Sequence, residues 1–265
     1  MGAKYGQHFL VNQHAAERIA LAMQLGPADA VLEIGPGKGA LTAFLLKAQQ
    51  VAVVEVDPEM IALLKARFGS VPNVRVFQAD ILEFDFARLS EANQGRSPFK
   101  VVGNLPYNLT SPILRRLSDW TGWKTAFVMV QKEVADRLCA KAATSAYGAL
   151  SAGMSLTCGA ETVFELSGAS FKPPPKVKSA VVKLTRREIP LTVDILGTQR
   201  VIQAAFQQRR KTILNSLSHG LGLEKDDIQQ ILEKTGINPG ERPERISPEL
   251  FVRLNDSLSK SGRLE

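Results

Sequence analysis

The chain has 265 residues, of which 45% are hydrophobic, and its formal net charge is +7. A chain of this length can bury a substantial core, so we expect one large domain and a smaller one. No apolar run reaches the ~18 residues that a membrane span requires, and the N-terminus lacks a signal-peptide core, which predicts a cytoplasmic protein without a membrane partner. Two cysteines, Cys139 and Cys158, lack the paired spacing of a disulfide framework or a zinc site, and we predict no metal.

The positive charge is concentrated in one part of the chain. Residues 172–217 contain ten Lys or Arg and two acidic residues, a net charge of +8, so the other 219 residues sum to −1. A basic segment in an otherwise neutral protein indicates a polyanionic partner, either nucleic acid or an anionic membrane. A solvated basic surface is the alternative interpretation.

The first predicted elements are a short N-terminal segment and a helix. Apolar residues recur at helical spacing within residues 12–25, and Gly26-Pro27 ends that pattern. Residues 1–11 are too mixed for periodicity to decide their structure, so they are interpreted as either a lid or a tail.

A predicted strand at residues 30–34 leads directly into the glycine-rich turn Gly35-Pro36-Gly37-Lys38-Gly39. Such a turn between a first strand and a helix lets the backbone approach a nucleotide-like ligand, and the helix N-terminus supplies N–H donors. The spacing also fits a dinucleotide-binding pattern. This turn therefore does not distinguish an NAD enzyme from a methyltransferase.

Acidic residues follow the next two predicted strands. Glu55, in the strand at residues 51–57, is the better candidate to accept both hydroxyls of a ribose, because Asp57-Pro58 has the pattern of a helix start. After the strand at residues 74–78, Asp80 could accept a hydrogen bond from an adenine amino group, with Ile81 against the ring. A helix cap is the alternative role for Asp80.

The fourth predicted strand ends in Asn104-Leu105-Pro106-Tyr107. Pro106 has no N–H and pushes Leu105 toward an extended conformation, which makes this turn rigid. The Asn104 side-chain oxygen and a main-chain carbonyl could accept the two hydrogens of an exocyclic amine, while Tyr107 offers a flat face for a heterocycle. A strand-ending turn with a core tyrosine is the alternative.

Further strands predicted at residues 125–131, 160–166 and 179–184 complete an open α/β sheet of about seven strands. The last two enclose Phe171 and a basic, proline-rich stretch that contains Lys172, Lys176 and Lys178. Three consecutive prolines make this stretch semi-rigid and suited to hold Phe171 over a pocket and the lysines toward phosphates. An ordinary connecting loop with a packed phenylalanine is the alternative.

Beyond residue 187 the pattern becomes helical. A predicted helix over residues 198–217 contains Arg209, Arg210 and Lys211, which fan over about 200° of a helix surface, so at most two of them contact RNA together. Glycine- and proline-containing breaks then separate two shorter helices. This pattern predicts a small, all-helical C-terminal domain.

These features together resemble the S-adenosylmethionine-dependent ribosomal RNA adenine dimethyltransferases, most closely their bacterial small-subunit branch. The Asn-Leu-Pro-Tyr motif at residues 104–107 and Phe-x-Pro-Pro-Pro-x-Val at residues 171–177 are highly specific, whereas the glycine turn is not. The resemblance covers nearly the whole chain and is carried by residues 7–10, 33–37, 55–57, 80, 103–107, 131–134, 147–148, 171–181 and 205–211.

The resemblance implies a Rossmann-like class I methyltransferase fold, with a seven-stranded, mainly parallel sheet and a helical C-terminal domain. Residues 1–187 would form the catalytic domain that binds S-adenosylmethionine, with residues 1–11 as a lid, and residues 188–265 would bind rRNA. The substrate would be the N6 amines of two adjacent adenosines near the 3′ end of 16S rRNA in a pre-30S particle, and the enzyme would act as a monomer.

The resemblance also implies roles for individual residues in binding the cofactor and the target base. The methionine end would meet Gly35, Gly37, His8 and Leu10, the ribose Glu55, the adenine Asp80 and Ile81, and the donor methyl Asn104. The family usually has Asn where this chain has His8, so a main-chain contact at this position would survive the change, whereas a contact of the Asn side chain would not. The target adenine would stack between Tyr107 and Phe171 with its amine held by Asn104 and the Leu105 carbonyl, and Lys172, Lys176, Lys178, Arg209, Arg210 and Lys211 would bind RNA.

Three competing hypotheses remain. A Rossmann dehydrogenase would share the glycine turn and Glu55 but would leave Asn-Leu-Pro-Tyr and the basic segment unexplained. A non-catalytic ribosome-assembly factor would bind the particle without transferring methyl groups. Within the family, the alternative is a large-subunit (23S) rRNA methyltransferase of the antibiotic-resistance type.

Overall fold

Short apolar runs form the strands of one large sheet, and amphipathic segments form the helices around and after it. The structure is a computed structural model that describes residues 8–89, 98–208 and 210–263. The strands are β1 (Phe9–Leu10), β2 (Ala30–Ile34), β3 (Gln50–Glu55), β4 (Val74–Gln78), β5 (Phe99–Asn104), β6 (Trp123–Gln131), β7 (Cys158–Leu166), β8 (Phe171–Lys172) and β9 (Ser179–Arg186). The helices are α1 (Gln13–Ala22), α2 (Thr42–Leu45), α3 (Pro58–Phe68), α4 (Thr110–Asp119), α5 (Lys132–Leu138), α6 (Ala149–Ser155), α7 (Ile195–Phe206), α8 (Ile213–Leu221), α9 (Lys225–Lys234) and α10 (Pro248–Lys260).

Seven of these strands pair in the order β4-β3-β2-β5-β6-β9-β7, so the predicted seven-stranded, mainly parallel sheet is confirmed. The five strands β2 to β6 pair in parallel, and β9 lies antiparallel to β6. We expected residues 179–184 to form an edge strand, but β9, which contains them, lies between β6 and β7.

The register of the central strands brings their carboxyl ends to the same level. Ile34 pairs with Val54 on one side and with Gly103 on the other. The residues that follow, Gly35, Glu55 and Asn104, therefore meet at one edge of the sheet. The order of the strands reverses at β2, because β3 and β4 extend the sheet on one side of it and β5 and β6 extend it on the other. Open α/β sheets bind ligands at such a point.

The chain divides into two compact units. The first comprises the described residues up to 135 together with residues 160–186, and the second comprises residues 136–159 and the described residues from 187 onward. We expected residues 136–159 to belong to the first domain. Two residues of this stretch, Tyr147 and Ala152, instead pack in the apolar core of the second unit with residues of α7 to α10. A boundary placed at residue 187 alone is therefore wrong, because the helical unit is built from two separate stretches of chain.

A second, two-stranded sheet joins the N-terminal segment to the proline-rich stretch. Strand β1 pairs antiparallel with β8, so that Leu10 faces Phe171 across the pair. The backbone N–H groups of Val11 and Asn12 both donate to the Ser170 carbonyl at 2.9 and 3.3 Å. The described part of the N-terminal segment is thus fastened to the loop after β7.

The predicted helix over residues 198–217 is interrupted. Helix α7 ends at Phe206 and α8 begins at Ile213, where the Thr212 hydroxyl accepts a hydrogen bond from the Asn215 N–H. Arg210 and Lys211 therefore lie in the connection between two helices and not on a helix surface. Arg209 lies outside the described residues.

Within the described ranges, the longest helices are too short or too polar to cross a lipid bilayer.

Candidate active site

A cavity opens at the carboxyl edge of the central strands, inside the first unit. It brings together nine of the residues predicted to bind cofactor or target base. The lining residues are His8, Phe9, Leu10, Glu33, Gly35, Pro36, Gly37, Lys38, Ala40, Leu41, Glu55, Asn104, Leu105, Pro106, Tyr107 and Met129.

The glycine turn forms one wall of the cavity. Gly35 and Gly37 both have positive φ angles, +62° and +53°, which side-chain-bearing residues adopt only with strain. A Cβ atom on Gly37 would lie 2.7 Å from the Phe9 ring. The missing side chain at residue 37 therefore lets strand β1 lie directly on the turn, with the Lys38 ammonium 5.5 Å from the centre of the same ring.

Glu55 forms the next part of the wall at the end of β3. Its side chain is buried, and Oε1 accepts hydrogen bonds from the N–H groups of Val56 and Asp57 at 2.9 and 3.0 Å. Oε2 accepts a third, from the Gly37 N–H at 3.1 Å. This carboxylate thus fixes the glycine turn against β3, while Asp57 accepts from the Glu59 N–H and caps α3, as predicted.

Glu33 is a second carboxyl group in the cavity wall, and no individual role was predicted for it from the sequence. It lies within β2, it is 2% exposed, and its Oε2 accepts a hydrogen bond of 2.6 Å from the Thr42 hydroxyl. Burial raises the pKa of Glu33; the Thr42 hydrogen bond opposes this effect and the negative charge of Glu55 adds to it, with a net value of about 8. An acidic residue in an otherwise apolar, fully buried parallel strand was the available signal.

Asn104 ends strand β5 and faces the cavity. Its side-chain nitrogen Nδ2 donates a 2.6 Å hydrogen bond to the main-chain carbonyl of His8. This bond fixes the orientation of the amide and leaves the oxygen Oδ1 as the acceptor for a ligand. Because the partner atom at residue 8 is a main-chain carbonyl, this contact does not depend on which side chain stands there.

Tyr107 is held by its hydroxyl group, which shares a 2.9 Å hydrogen bond with the hydroxyl of Ser179 at the start of β9. The His8 ring lies beside it, with the ring centres 5.3 Å apart and the planes tilted by 35°. His8 Nδ1 also lies 2.8 Å from the Pro173 carbonyl oxygen. The aromatic wall of the cavity is therefore connected both to the sheet and to the proline-rich stretch.

The backbone of the Asn-Leu-Pro-Tyr turn is anchored on both sides. The Leu105 N–H donates to the Met129 carbonyl at 3.1 Å, which ties the turn to β6. The Pro106 carbonyl accepts from the Thr110 hydroxyl and from the Leu109 N–H, both at 3.0 Å, which ties it to the start of α4. The rigidity predicted from Pro106 thus has a structural cause beyond the proline ring.

Phe171 does not line the cavity. Its side chain is 3% exposed and packs in an apolar cluster with Leu10, Val102 and Met129. The prediction that Phe171 supplies a second stacking face for the target base is therefore wrong for this arrangement, because pairing of β1 with β8 turns the ring into the core. Among the lining residues, His8 is the aromatic ring beside Tyr107.

The remaining predicted residues lie outside the cavity. Asp80 is exposed and its Oδ1 accepts a hydrogen bond from the Leu82 N–H at 2.9 Å, while Ile81 is buried. Lys172, Lys176 and Lys178 are exposed in the same unit, and Arg210 and Lys211 are exposed in the helical unit. The roles predicted for these residues remain predictions.

The sequence is similar to known proteins over almost its full length. Residues 2–260 match the family described as ribosomal RNA adenine dimethylase. A relative from Shouchella clausii, named ribosomal RNA small subunit methyltransferase A, is 39% identical over 266 residues that cover 97% of this chain and 90% of the relative. A relative of the same name from Pseudomonas savastanoi is also 39% identical and covers 97% of this chain and 94% of its own length.

The fold is also similar to solved structures. A dimethyladenosine transferase from Plasmodium falciparum superposes with a TM-score of 0.80 at 28% identity, covering 96% of this chain and 98% of the other. The 23S rRNA methyltransferase ErmE superposes with a TM-score of 0.68 at 29% identity, covering 95% and 99%.

Proposed function

Because this chain belongs to the ribosomal RNA adenine dimethylase family, we propose that it transfers methyl groups from S-adenosylmethionine to the N6 amines of two adjacent adenosines near the 3′ end of small-subunit rRNA, within a pre-30S particle. The observation that carries this proposal is the cavity where the glycine turn, Glu55 and the Asn-Leu-Pro-Tyr turn meet. A dehydrogenase would need the first two features, but it has no use for the third.

The residues around the cavity fit the proposed cofactor. Gly35, Gly37 and the segment of His8 and Leu10 would hold its methionine end, since they line one side of the cavity together and the Phe9 ring packs against Gly37 there. Glu55 would accept the ribose hydroxyls, and Asp80 and Ile81 would contact the adenine. When bound, the cofactor supplies an activated methyl group on a sulfonium centre.

The Asn-Leu-Pro-Tyr turn would hold the target base. The oxygen Oδ1 of Asn104 and the Leu105 carbonyl would accept the two hydrogens of the flipped adenine's amine, and the Tyr107 ring would stack on the base. Orientation would supply most of the rate enhancement, because the methyl donor is already cationic and no general base is required. The hydrogen bonds that fix Asn104 and Tyr107 support this role.

RNA would be bound by basic side chains of both units. In the first unit, Lys172 ends β8 and Lys176 and Lys178 follow it, all three exposed. In the helical unit, exposed Arg210 and Lys211 occupy the connection between α7 and α8. Concentrated positive charge of this kind binds phosphate groups without sequence preference. We assign the affinity for rRNA to the combined contacts of these two basic stretches.

Two findings favour small-subunit over large-subunit rRNA as the substrate. The relatives that are 36–39% identical are named small-subunit enzymes. The superposition with a dimethyladenosine transferase is also closer than that with the 23S enzyme, at TM-scores of 0.80 and 0.68.

The decisive test is methyl transfer by the purified protein. It would be incubated with tritium-labelled S-adenosylmethionine and either small-subunit particles that lack dimethyladenosine or intact large-subunit particles, and the rRNA would be digested for mass spectrometry. We expect labelled dimethyladenosine in the small-subunit rRNA alone. Label in large-subunit rRNA, or in neither, would overturn the proposal.

Substitution of Asn104 tests whether methyl transfer takes place at this cavity. Asn104→Ala should abolish methyl transfer while the protein still binds the cofactor within about tenfold of the wild-type affinity, because Asn104 is one of several groups around the cofactor. Methyl transfer by this variant at the wild-type rate would remove Asn104 from the mechanism.

A further inference from the structure

The buried carboxyl group of Glu33 is the feature of the cavity that the proposed chemistry leaves without a role. Glu33 pairs in register with Val53 and Val102, both fully buried, so its partners on both adjacent strands are apolar. It nevertheless contributes to the cavity wall. A carboxyl group placed there meets whatever ligand enters.

The two carboxyl groups of the cavity have different surroundings. Glu55 accepts three backbone N–H hydrogen bonds, an environment that suits an anion. Glu33 instead accepts a hydrogen bond from a hydroxyl group, that of Thr42. A buried site that holds one carboxylate and a second, poorly solvated carboxyl favours the neutral form of the second.

We propose that Glu33 is neutral in the cofactor-free enzyme at neutral pH and loses its proton to solvent when S-adenosylmethionine enters, so that its carboxylate balances the positive charge of the cofactor. This inference rests on the proposed function. The O–H bond of Glu33 breaks, the proton passes to the buffer, and no other bond changes. The raised pKa of Glu33, about 8, agrees with this role.

The charge of the cofactor makes proton loss the favoured outcome. S-adenosylmethionine carries a sulfonium, an ammonium and a carboxylate, so it adds net positive charge to the cavity, and a cation near a buried carboxyl group lowers its pKa by about 1–3 units. The other titratable groups that line the cavity are His8 before β1, Lys38 in the glycine turn, Glu55 at the end of β3, and Tyr107 after β5.

The direction in which cofactor affinity changes with pH follows from the pKa of Glu33 before and after binding. Glu33 has a raised pKa before binding and a lower one after binding, so the cofactor binds the deprotonated form more tightly. Affinity should therefore rise with pH, by at most about tenfold per unit, and level off as the pH passes about 8.

Calorimetry counts the proton directly. S-adenosylmethionine would be titrated into the full-length protein at pH 7.0 in phosphate and in Tris, whose ionisation enthalpies differ, and the difference in heat gives the protons released. We expect roughly one half to one proton from the wild type. S-adenosylhomocysteine, which lacks the sulfonium charge, should release fewer.

Two variants assign the proton to its source. Glu33→Gln keeps the shape of the neutral group, and it should release almost no proton and show cofactor affinity that is flat between pH 6 and 7. Thr42→Val removes the donor that stabilises the carboxylate, so the rise in affinity should extend to higher pH. The cofactor ammonium, which titrates near pH 8, affects all variants equally.

The possible results separate this inference from the proposed function. Binding of S-adenosylmethionine without proton release, or equal release by Glu33→Gln and wild type, would overturn the role of Glu33 and leave methyl transfer intact. Failure of the wild type to bind the cofactor would instead refute the proposed function.

Discussion

At the scale of single residues, the site depends on side chains that are fixed by distant partners. Asn104 is oriented by the carbonyl of His8, and Tyr107 by the hydroxyl of Ser179. Neither partner is near in the sequence, so both contacts exist only after folding. The positions of the amide and the ring are thus set before a base enters, which is the condition for catalysis by orientation.

The ring and the hydroxyl group of Tyr107 should contribute unequally to the rate of methyl transfer. Tyr107→Phe keeps the stacking face and loses one hydrogen bond worth about 1 kcal/mol, so kcat/KM should fall less than tenfold. Tyr107→Ala removes the stacking face as well, and the loss of about 1–3 kcal/mol of stacking should lower kcat/KM by roughly a further 5- to 150-fold. Ser179→Ala is the matched control and should behave like Tyr107→Phe. Equal loss in the Phe and Ala variants would show that the hydroxyl group, and not the ring, carries the role.

Gly37 should be intolerant of a side chain. Ala at this position adds about 1–2 kcal/mol of backbone strain at φ +53° and a methyl group 2.7 Å from the Phe9 ring, so we expect cofactor affinity to fall at least about tenfold in calorimetry. Gly236→Ala is the control, because Gly236 also has a positive φ, +76°, but has open space around it. That variant should lower thermal stability and leave cofactor affinity unchanged.

The site residues that end or follow strands could be predicted from the sequence, whereas those whose role depends on tertiary packing could not. Gly35, Glu55 and Asn104 were found because each ends an apolar run, and register then brings them together. Phe171 was misplaced, since its burial follows from the pairing of β1 with β8, which local patterns do not encode. Glu33 was overlooked because it lies inside a strand that reads as apolar.

At the scale of elements, apolar periodicity predicted the strands well and the helix ends poorly. The break between α7 and α8 falls inside a stretch whose apolar residues, Phe206 and Ile213 among them, fit one continuous helix. The break is stabilised by long-range hydrogen bonds: the Ile213 N–H donates to the Glu241 carbonyl at 2.7 Å and the Leu214 N–H to the Pro239 carbonyl at 3.4 Å. Local sequence carries little information about such partners.

The end of α1 is joined to the sheet by a buried ionic cluster that should dominate stability in this region. Lys100 of β5 donates to the carbonyls of Met23 and Gln24 and to Asp29 at 2.8–3.0 Å. Lys100→Met leaves these acceptors without their donor, so the free energy of unfolding in urea should fall by about 3–5 kcal/mol. Lys124→Met removes the second, 41% exposed partner of Asp29 and should cost about 0–1 kcal/mol.

The same cluster should make the free energy of unfolding depend on pH. Burial raises the pKa of Asp29, but hydrogen bonds from Lys100, the Gly26 N–H and Lys124 outweigh this effect and lower it to about 2. A lowered carboxyl pKa contributes stability that is present above the unfolded value of about 4 and is lost as the pH falls toward 2. The stability difference between wild type and Lys100→Met, measured from pH 5 to pH 2, should therefore shrink below pH 4. A constant difference would exclude Asp29 as its source.

At the scale of the whole molecule, the positive charge is divided between the two units. Residues 172–217 carry a net charge of +8, whereas the rest of the chain sums to −1, and they include Lys172, Lys176 and Lys178 of the first unit and the Arg-Lys connection of the helical unit. The cavity to which we assign the chemistry lies within the first unit. Chemistry and electrostatic binding can therefore be altered separately by substitution.

This separation predicts how RNA binding responds to salt. Removing one side chain that binds a phosphate should lower the slope of log affinity against log salt concentration by roughly 0.7–0.9, so replacing Lys172, Lys176 and Lys178 together by Gln should lower it by about 2. Lys178 should contribute least, since its ammonium lies 3.7 Å from Glu165 and is partly neutralised.

The control for this measurement is a triple variant of equal charge change, with Lys47, Lys65 and Arg75 replaced by Gln, because these side chains are exposed but lie outside the basic segment. Filter binding of small-subunit particles between 50 and 300 mM salt would give the slopes. Over this range of salt concentration, the electrostatic screening length falls from about 14 to about 6 Å. Methyl transfer at low salt should remain within a few-fold of wild type for the control variant. If both triple variants lower the slope equally, the basic segment has no special role and the RNA is held by the overall charge of the protein.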